Sequence, residues 1–461
     1  MSVADNVFVL PQGADAGATL GAVTIRDRIP PLHKIAATDI PSGKQVIKYG
    51  HPIGSACRDI RAGDWVHDHN VRPLPQEQWP QLPEWRGPYP TDRGAPRDKF
   101  MGYRRRGAIR PGVRNDIWVI PSVGCIRGEI RYILANYRKP YWIDSVRLID
   151  HQSDCGGGEN SASAVDMLLG LAFNPNAAGI LFVGLGCENL QVSDLYNRAL
   201  AGKCNVTFAI MQKSGGDKIP MLLDELAADS PRVREEFPAS GLCVGVIGSD
   251  GPSHASANPL LGHFSNGLAS QGGTILAAGG PSLLGALPAI APKITTEGAF
   301  ESFSHLARLS GSLRAPSADD LKNGITTGEE KAVAGISIIG ETQITGALDS
   351  GEPARSVAGT QITAESGCEA ANCTAFAGSG AQVILFATQS GTPFGSVVPT
   401  VKISSHTELA EKHPRWIDFD AGTLLEGEPW DAAASRLEKL VLSVACGKRV
   451  AHEEKDIGDI A

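Results

Sequence analysis

Apolar runs of strand length recur along this chain, each running into a glycine-bearing loop: IWVIPSVG from Ile117, GILFVGLG from Gly179, LCVGVIG from Leu242, TILAAGG from Thr274 and AQVILFAT from Ala381. An unbroken apolar run bounded by turn residues reads as a strand buried on both faces, the mark of a parallel sheet. Helical or loop stretches alternate with these runs, so the expected fold class is α/β, with parallel sheets covered by helices. A helix-like segment, MLLDELAADSPRVREEF, precedes a fresh strand at Gly241 and divides the region into two α/β halves, 101–240 and 241–461. The first 72 residues differ, reading as short strands and turns with no helical period. They hold a quasi-repeat, Asp39-Ile40 with Gly43 and Val46, then Asp59-Ile60 with Gly63 and Val66, each copy a turn feeding a strand. Between module and halves, residues 73–100 carry Pro73, Pro75, Pro80, Pro83, Pro88, Pro90 and Pro96, which exclude regular structure over most of the segment and define a linker.

Charge and cysteine usage narrow the function. The net charge of −8 and the lack of a long basic block argue against nucleic acid or a membrane surface as partner. No run approaches 18 apolar residues, and the N-terminus lacks a signal-peptide pattern, so a cytoplasmic protein is expected. Nine scattered cysteines make no disulfide framework and are expected to be free thiols or metal ligands.

Three of them, Cys125, Cys155 and Cys187, each follow a strand-like run and adjoin a glycine or lie close to one. Open parallel sheets bind ligands beyond the carboxyl ends of their strands, so the trio is a candidate iron site, although cysteine is also a common small core residue. In WVHDHN, strand alternation would put His67 and His69 on one face, as metal ligands or proton carriers, and His51 lies in YGHPIG. Arg114 and Asn115, just before the first buried strand, are candidates for carboxylate binding. Thr392, in the loop TQSGTPFG, and Lys402 are candidates for an oxyanion cradle.

Taken in order, HKIAATDI, YGHPIG through WVHDHN, GVRNDIWVIPSVGC, HQSDC, NPNAAGILFVGLGCEN, GSDG followed by SANP, NGITT with EEK, and SGTPFGSVVPTVKI with WIDFDAG resemble the altronate and galactarate dehydratase family over nearly the whole chain. The resemblance implies an N-terminal SAF-type, β-clip-like domain, a linker, and an α/β catalytic region that removes water from a sugar acid to give a 2-keto-3-deoxy acid. It implies a divalent metal, Fe2+ first, with an iron–sulfur cluster, Mg2+ or Mn2+ as alternatives. With the readings above, the candidates are His67, His69, His51 and Lys402 for catalysis, and His67, His69, Cys125, Cys155 and Cys187 for metal. His33, Lys34, Arg114, Asn115, Ser249, Asp250 and Thr392 are assigned to substrate. Further expected partners are a small carboxylate and other copies of the chain.

The second half departs from the family pattern. Val246 replaces a cysteine, Gly279, Ser282 and Leu287 stand where glutamates are usual, and Ser317–Asn323 and Ser366–Glu369 are altered. The expected reaction is therefore loss of water from a small hydroxy acid other than altronate or galactarate. An epimerase, another lyase that abstracts an α-proton, or a non-catalytic binding relative are the alternatives.

Overall fold

The computed structural model describes residues 4–75, 97–151, 161–279, 285–309, 315–349, 351–364 and 368–460. Most of the linker, Cys155 and Ser282 lie outside the described residues.

The N-terminal module pairs two small antiparallel sheets. One orders its strands Val7–Leu10, His33–Ala36 and Trp65–Val66; the other, Gln45–Lys48, His51–Ala56 and Val71–Arg72. The quasi-repeat explains how they close on each other. Ile40 bridges Ile60, Asp39 Oδ1 accepts the amide of Ala62, and Asp59 Oδ1 accepts that of Ser42, both at 2.8 Å. The two turns thus cap each other across a local pseudo-twofold, with Val46, Ile53, Val66 and Val71 packed beneath.

A four-stranded parallel sheet follows, ordered Val146–Leu148, Asp116–Pro121, Ala177–Gly184, Val206–Ile210. The helix-like segment before residue 240 is a helix only over Ile219–Ala228. Beyond Pro231, Glu235–Pro238 is a strand paired antiparallel with Lys99–Gly102. The last sheet has seven strands, ordered Ile344–Leu348, Gly359–Ala364, Thr274–Gly279, Cys243–Ile247, Val383–Thr388, Thr400–Ser404 and Phe419–Asp420, all parallel.

Both parallel sheets are wound alike. In each, the chain steps from its first strand to one side and later returns to the other, leaving a switch point beside that first strand where adjacent loops part. Helices Ser161–Ala172 and Glu369–Gly378 pack between the sheets in one core that includes Trp118, Phe182, Leu276 and Phe376. A side chain at Gly170 would stand 2.6 Å from the carbonyl of Gly378, so glycine lets these helices touch. Among the described residues, no helix is long and apolar enough to cross a membrane.

Candidate active site

At the switch point of the seven-stranded sheet lies a cavity of about 670 Å³, between the loop that follows Cys243–Ile247 and the loop that follows Val383–Thr388. The first loop, Gly248-Ser249-Asp250-Gly251, is held by the Asn258 amide, which accepts the Ser249 N–H at 3.0 Å and donates to the Ser249 carbonyl at 2.9 Å. Gly251 sits at φ +60°, where a Cβ would collide with the Gln389 side chain. Asp250 is thereby aimed into the cavity, where Ser249 and Thr392 also stand.

Lys331, in helix Gly328–Gly335, donates to Asp250 at 3.0 Å and to Asp320 at 2.8 Å. Burial lowers the affinity of its amine for a proton, but the two carboxylates outweigh that and leave its pKa above the ordinary value. Asp320 is 0% exposed and completes a capping box with Ser317, so the altered stretch Ser317–Asn323 supplies one of the lysine's two anchors. His254, one helical turn after Asp250, is 6% exposed, and burial pushes its pKa down to about 4 against the pull of Asp250. Its Nε2 is buried without a hydrogen-bond partner, 3.8 Å from Asp250 Oδ1. Across the mouth, Glu369 opens the first turn of helix Glu369–Gly378. Its side chain is open to solvent, yet the protein crowded about its carboxyl, and then the Asp250 charge, raise its pKa.

The N-terminal module grips this site from behind. Glu330, 1% exposed, accepts Lys34 Nζ and Lys48 Nζ, each at 2.8 Å, as well as the Thr326 N–H and hydroxyl. Burial alone would raise the pKa of Glu330; the two ammonium groups hold it far below the usual carboxylate range. Burial pushes Lys34 down to about 8, while Lys48 is held above its ordinary value by Glu330 against its own burial. The segment that carries Asp320 and Lys331 is thus fixed by side chains of another domain.

His67 belongs to the same docking face. The strand stops at Val66, and His67–Asn70 form a turn, so alternation does not set the histidines' directions. His67 Nδ1 meets Asp68 Oδ1 at 2.6 Å, and Nε2 meets the Leu321 carbonyl at 3.0 Å. Both ring nitrogens are thus turned to protein oxygens. His33 stacks on His67 at 5.0 Å and shares its Nδ1 with Pro31 O; His69 is exposed. His51 lies away from the cavity, with Lys293, Glu341 and Asp5 as its charged neighbours.

Other expected residues are used inside the protein. All five Arg114 donors are spent, on both oxygens of Glu453 and on the carbonyls of Val113, Val444 and Lys448. Asn115 donates to Trp142 and Pro231 carbonyls and accepts from Arg105. Neither has a donor left for a carboxylate substrate. Lys402, brought down to about 8 by burial, stands behind the cavity loop and holds the carbonyls of Thr392 and Phe394 at 3.0 and 2.8 Å.

Cys125 and Cys187 flank the switch point of the other sheet, after Asp116–Pro121 and Ala177–Gly184. Both are exposed, and among the described residues neither thiol has a hydrogen-bond partner. His254, Asp320, Glu330, Lys331 and Glu369 carry no site role in the sequence expectations, although Glu330 and Lys331 lie in the EEK motif and Asp320 and Glu369 in the altered stretches. The four-residue step from Asp250 to His254 and the capping pattern Ser317 to Asp320 are the local signals that pointed to the first two.

Models of the altronate/galactarate dehydratase family match three stretches: the SAF domain over residues 1–74, the D-galactarate dehydratase/altronate hydrolase second domain over 102–226, and the D-galactarate/altronate dehydratase C-terminal domain over 239–461. The chain belongs to this family, and so to the hydro-lyases. It is 33% identical to the altronate dehydratase of Escherichia coli (strain K12), over 99% of this chain and 97% of that protein. The altronate dehydratase of Bacillus subtilis (strain 168) is 32% identical over 99% of this chain and 96% of its own length. The galactarate dehydratase (L-threo-forming) of Escherichia coli (strain K12) is 28% identical over 96% and 92%.

Kinship with these dehydratases points to a metal cofactor without fixing the ion. Two described groups bring three possible ligand atoms within 4.8 Å of one another, His67–Asp68–His69 and Asp250–His254–Asp320. In the first, both ring nitrogens of His67 are turned to protein oxygens; in the second, the Lys331 ammonium already holds the two carboxylates.

Proposed function

We propose that the chain dehydrates a small 2,3-dihydroxy acid to a 2-keto-3-deoxy acid in the cavity of the seven-stranded sheet. One observation carries this reading: a buried imidazole whose Nε2 has no partner and a doubly anchored ammonium meet at a switch point. His254, neutral at ordinary pH because burial lowers its pKa, accepts the Asn258 amide on Nδ1, so its Nε2–H donates to a substrate oxygen while the neighbouring Asp250 carboxylate takes the α-proton. The electron pair released moves onto the substrate carboxylate, where the Lys331 charge stabilises it. Glu369, its pKa raised, gives its proton to the β-hydroxyl as the C–O bond breaks, and water leaves. The resulting enol relaxes to the keto acid.

Iron would be held by Cys125 and Cys187, with Cys155 as the third thiol assigned from sequence; neither described thiol lines the cavity, so the Lewis-acid chemistry that iron would supply stays outside the steps above. The steps above use only side chains of the cavity.

The test is Lys331→Ala and His254→Ala, each checked for an unchanged far-ultraviolet spectrum and assayed for keto acid on a panel of hydroxy acids. Each is expected to lose about 10²- to 10⁴-fold in kcat/KM. Retention of activity within tenfold in both would remove the cavity from the reaction.

A further inference from the structure

The two sides of the cavity differ in chemistry. Asp250, His254, Lys331, Glu369 and Thr392 crowd one side. On the side of strands Thr274–Gly279 and Gly359–Ala364 and the turn Ile336–Ile339, the described lining is Ala277, Ala278, Ile336, Ile338, Ile339 and Ile362, hydrocarbon throughout. The polar neighbour there, Asn258, spends both amide hydrogens, on the Ser249 carbonyl and on a 3.3 Å contact with His254 Nδ1, and its oxygen accepts the Ser249 N–H, leaving no donor for a ligand. At about 670 Å³, the cavity has room well beyond a carboxylate and two hydroxyl-bearing carbons. A polyol chain laid on this wall would surrender water for hydrocarbon at every hydroxyl, whereas an alkyl chain would lose only unfavourable contact with water.

We infer that the substrate is a 2,3-dihydroxy acid whose carbons beyond C3 form an apolar tail, alkyl or aryl, lying on the isoleucine wall. The inference rests on the dehydratase reading for its polar head. Its tail is argued from the wall alone.

The experiment measures kcat/KM of the purified full-length protein on 2,3-dihydroxybutanoate, -pentanoate and -hexanoate, as resolved stereoisomers, beside fully hydroxylated six-carbon acids. Thermal-shift binding is measured on the same compounds. Each added methylene is expected to raise kcat/KM about fourfold, the equivalent of about 0.8 kcal/mol per buried CH₂. The polyols are expected at least about tenfold below the hexanoate. Ile336→Asn, at a half-buried wall position, is expected to compress the hexanoate-to-butanoate ratio. A polyol handled as well as the hexanoate would overturn the tail while leaving dehydration standing. No turnover of any acid, together with tighter binding of the hexanoate than of the polyols and loss of that preference in Ile336→Asn, would uphold the tail and sink the dehydratase reading. Equal binding of all compounds without turnover would sink both.

Discussion

At the switch point of the four-stranded sheet stand two exposed thiols, Cys125 and Cys187, beside Glu188, whose oxygens are taken by the Ser122 hydroxyl at 2.7 Å and the Gly186 N–H at 2.6 Å. At the switch point of the seven-stranded sheet stand a buried imidazole, an ammonium and two carboxylates around a cavity. The winding is the same in both, and so is the place it offers a ligand. Winding decides where a site can form, and the loop residues decide its chemistry: soft and open in one sheet, hard and proton-exchanging in the other.

Three measurements would break or sharpen that contrast. The largest effect is expected from Glu330→Gln. It strips the charge from a buried pair and leaves two ammonium groups uncompensated, at a cost of about 3–5 kcal/mol in denaturant unfolding. In the parent protein, the two lysines keep the folded pKa of Glu330 below its ordinary 4.5. Its contribution is therefore complete above that pH and is lost only as pH falls through the lower folded value, so acid unfolding of the variant should lack this step. A change below about 1 kcal/mol would mean that the clamp does not hold the cavity segment.

The next is Glu369→Gln, expected to cost roughly 10²-fold or more in kcat/KM. Because Glu369 must be protonated to donate and its pKa is raised, the parent's rate should fall as pH climbs through that value, and the variant's residual rate should lose this limb. An unchanged limb would assign the acid elsewhere. The smallest effect on folding belongs to the double variant Cys125→Ser, Cys187→Ser, expected within about 0.5 kcal/mol of the parent because both positions are exposed. Its anaerobically determined iron content, however, should fall to background. Full retention of iron would leave the thiols without a role.

The parallel strands were legible because burial on both faces writes an unbroken apolar run, as in Asp116–Pro121 and Val383–Thr388. The quasi-repeat likewise announced its paired turns. Strand order was not legible, since no local pattern says which strand neighbours which, and with it went the position of the cavity. Ser249, Asp250 and Thr392, which the sequence singles out, line the cavity; Arg114 and Asn115 instead spend their donors inside the protein, and an arginine saturated by Glu453 looks the same in sequence as a free one. Lys34 was singled out, but its partner Glu330 lies 296 residues away, beyond the reach of any periodicity.

That separation sets an order of assembly. Lys34 and Lys48 are synthesised long before Glu330, so if the N-terminal module folds as it emerges, both ammonium groups are then still in water. Its hydrophobic interior, closed by the Asp39 and Asp59 turns, is built from its own residues. Docking waits for residues 320–331 to leave the ribosome, and the same event fixes Asp320 and Lys331 in place. The lyase cavity would then be completed late in synthesis, after the module that braces it has been standing ready.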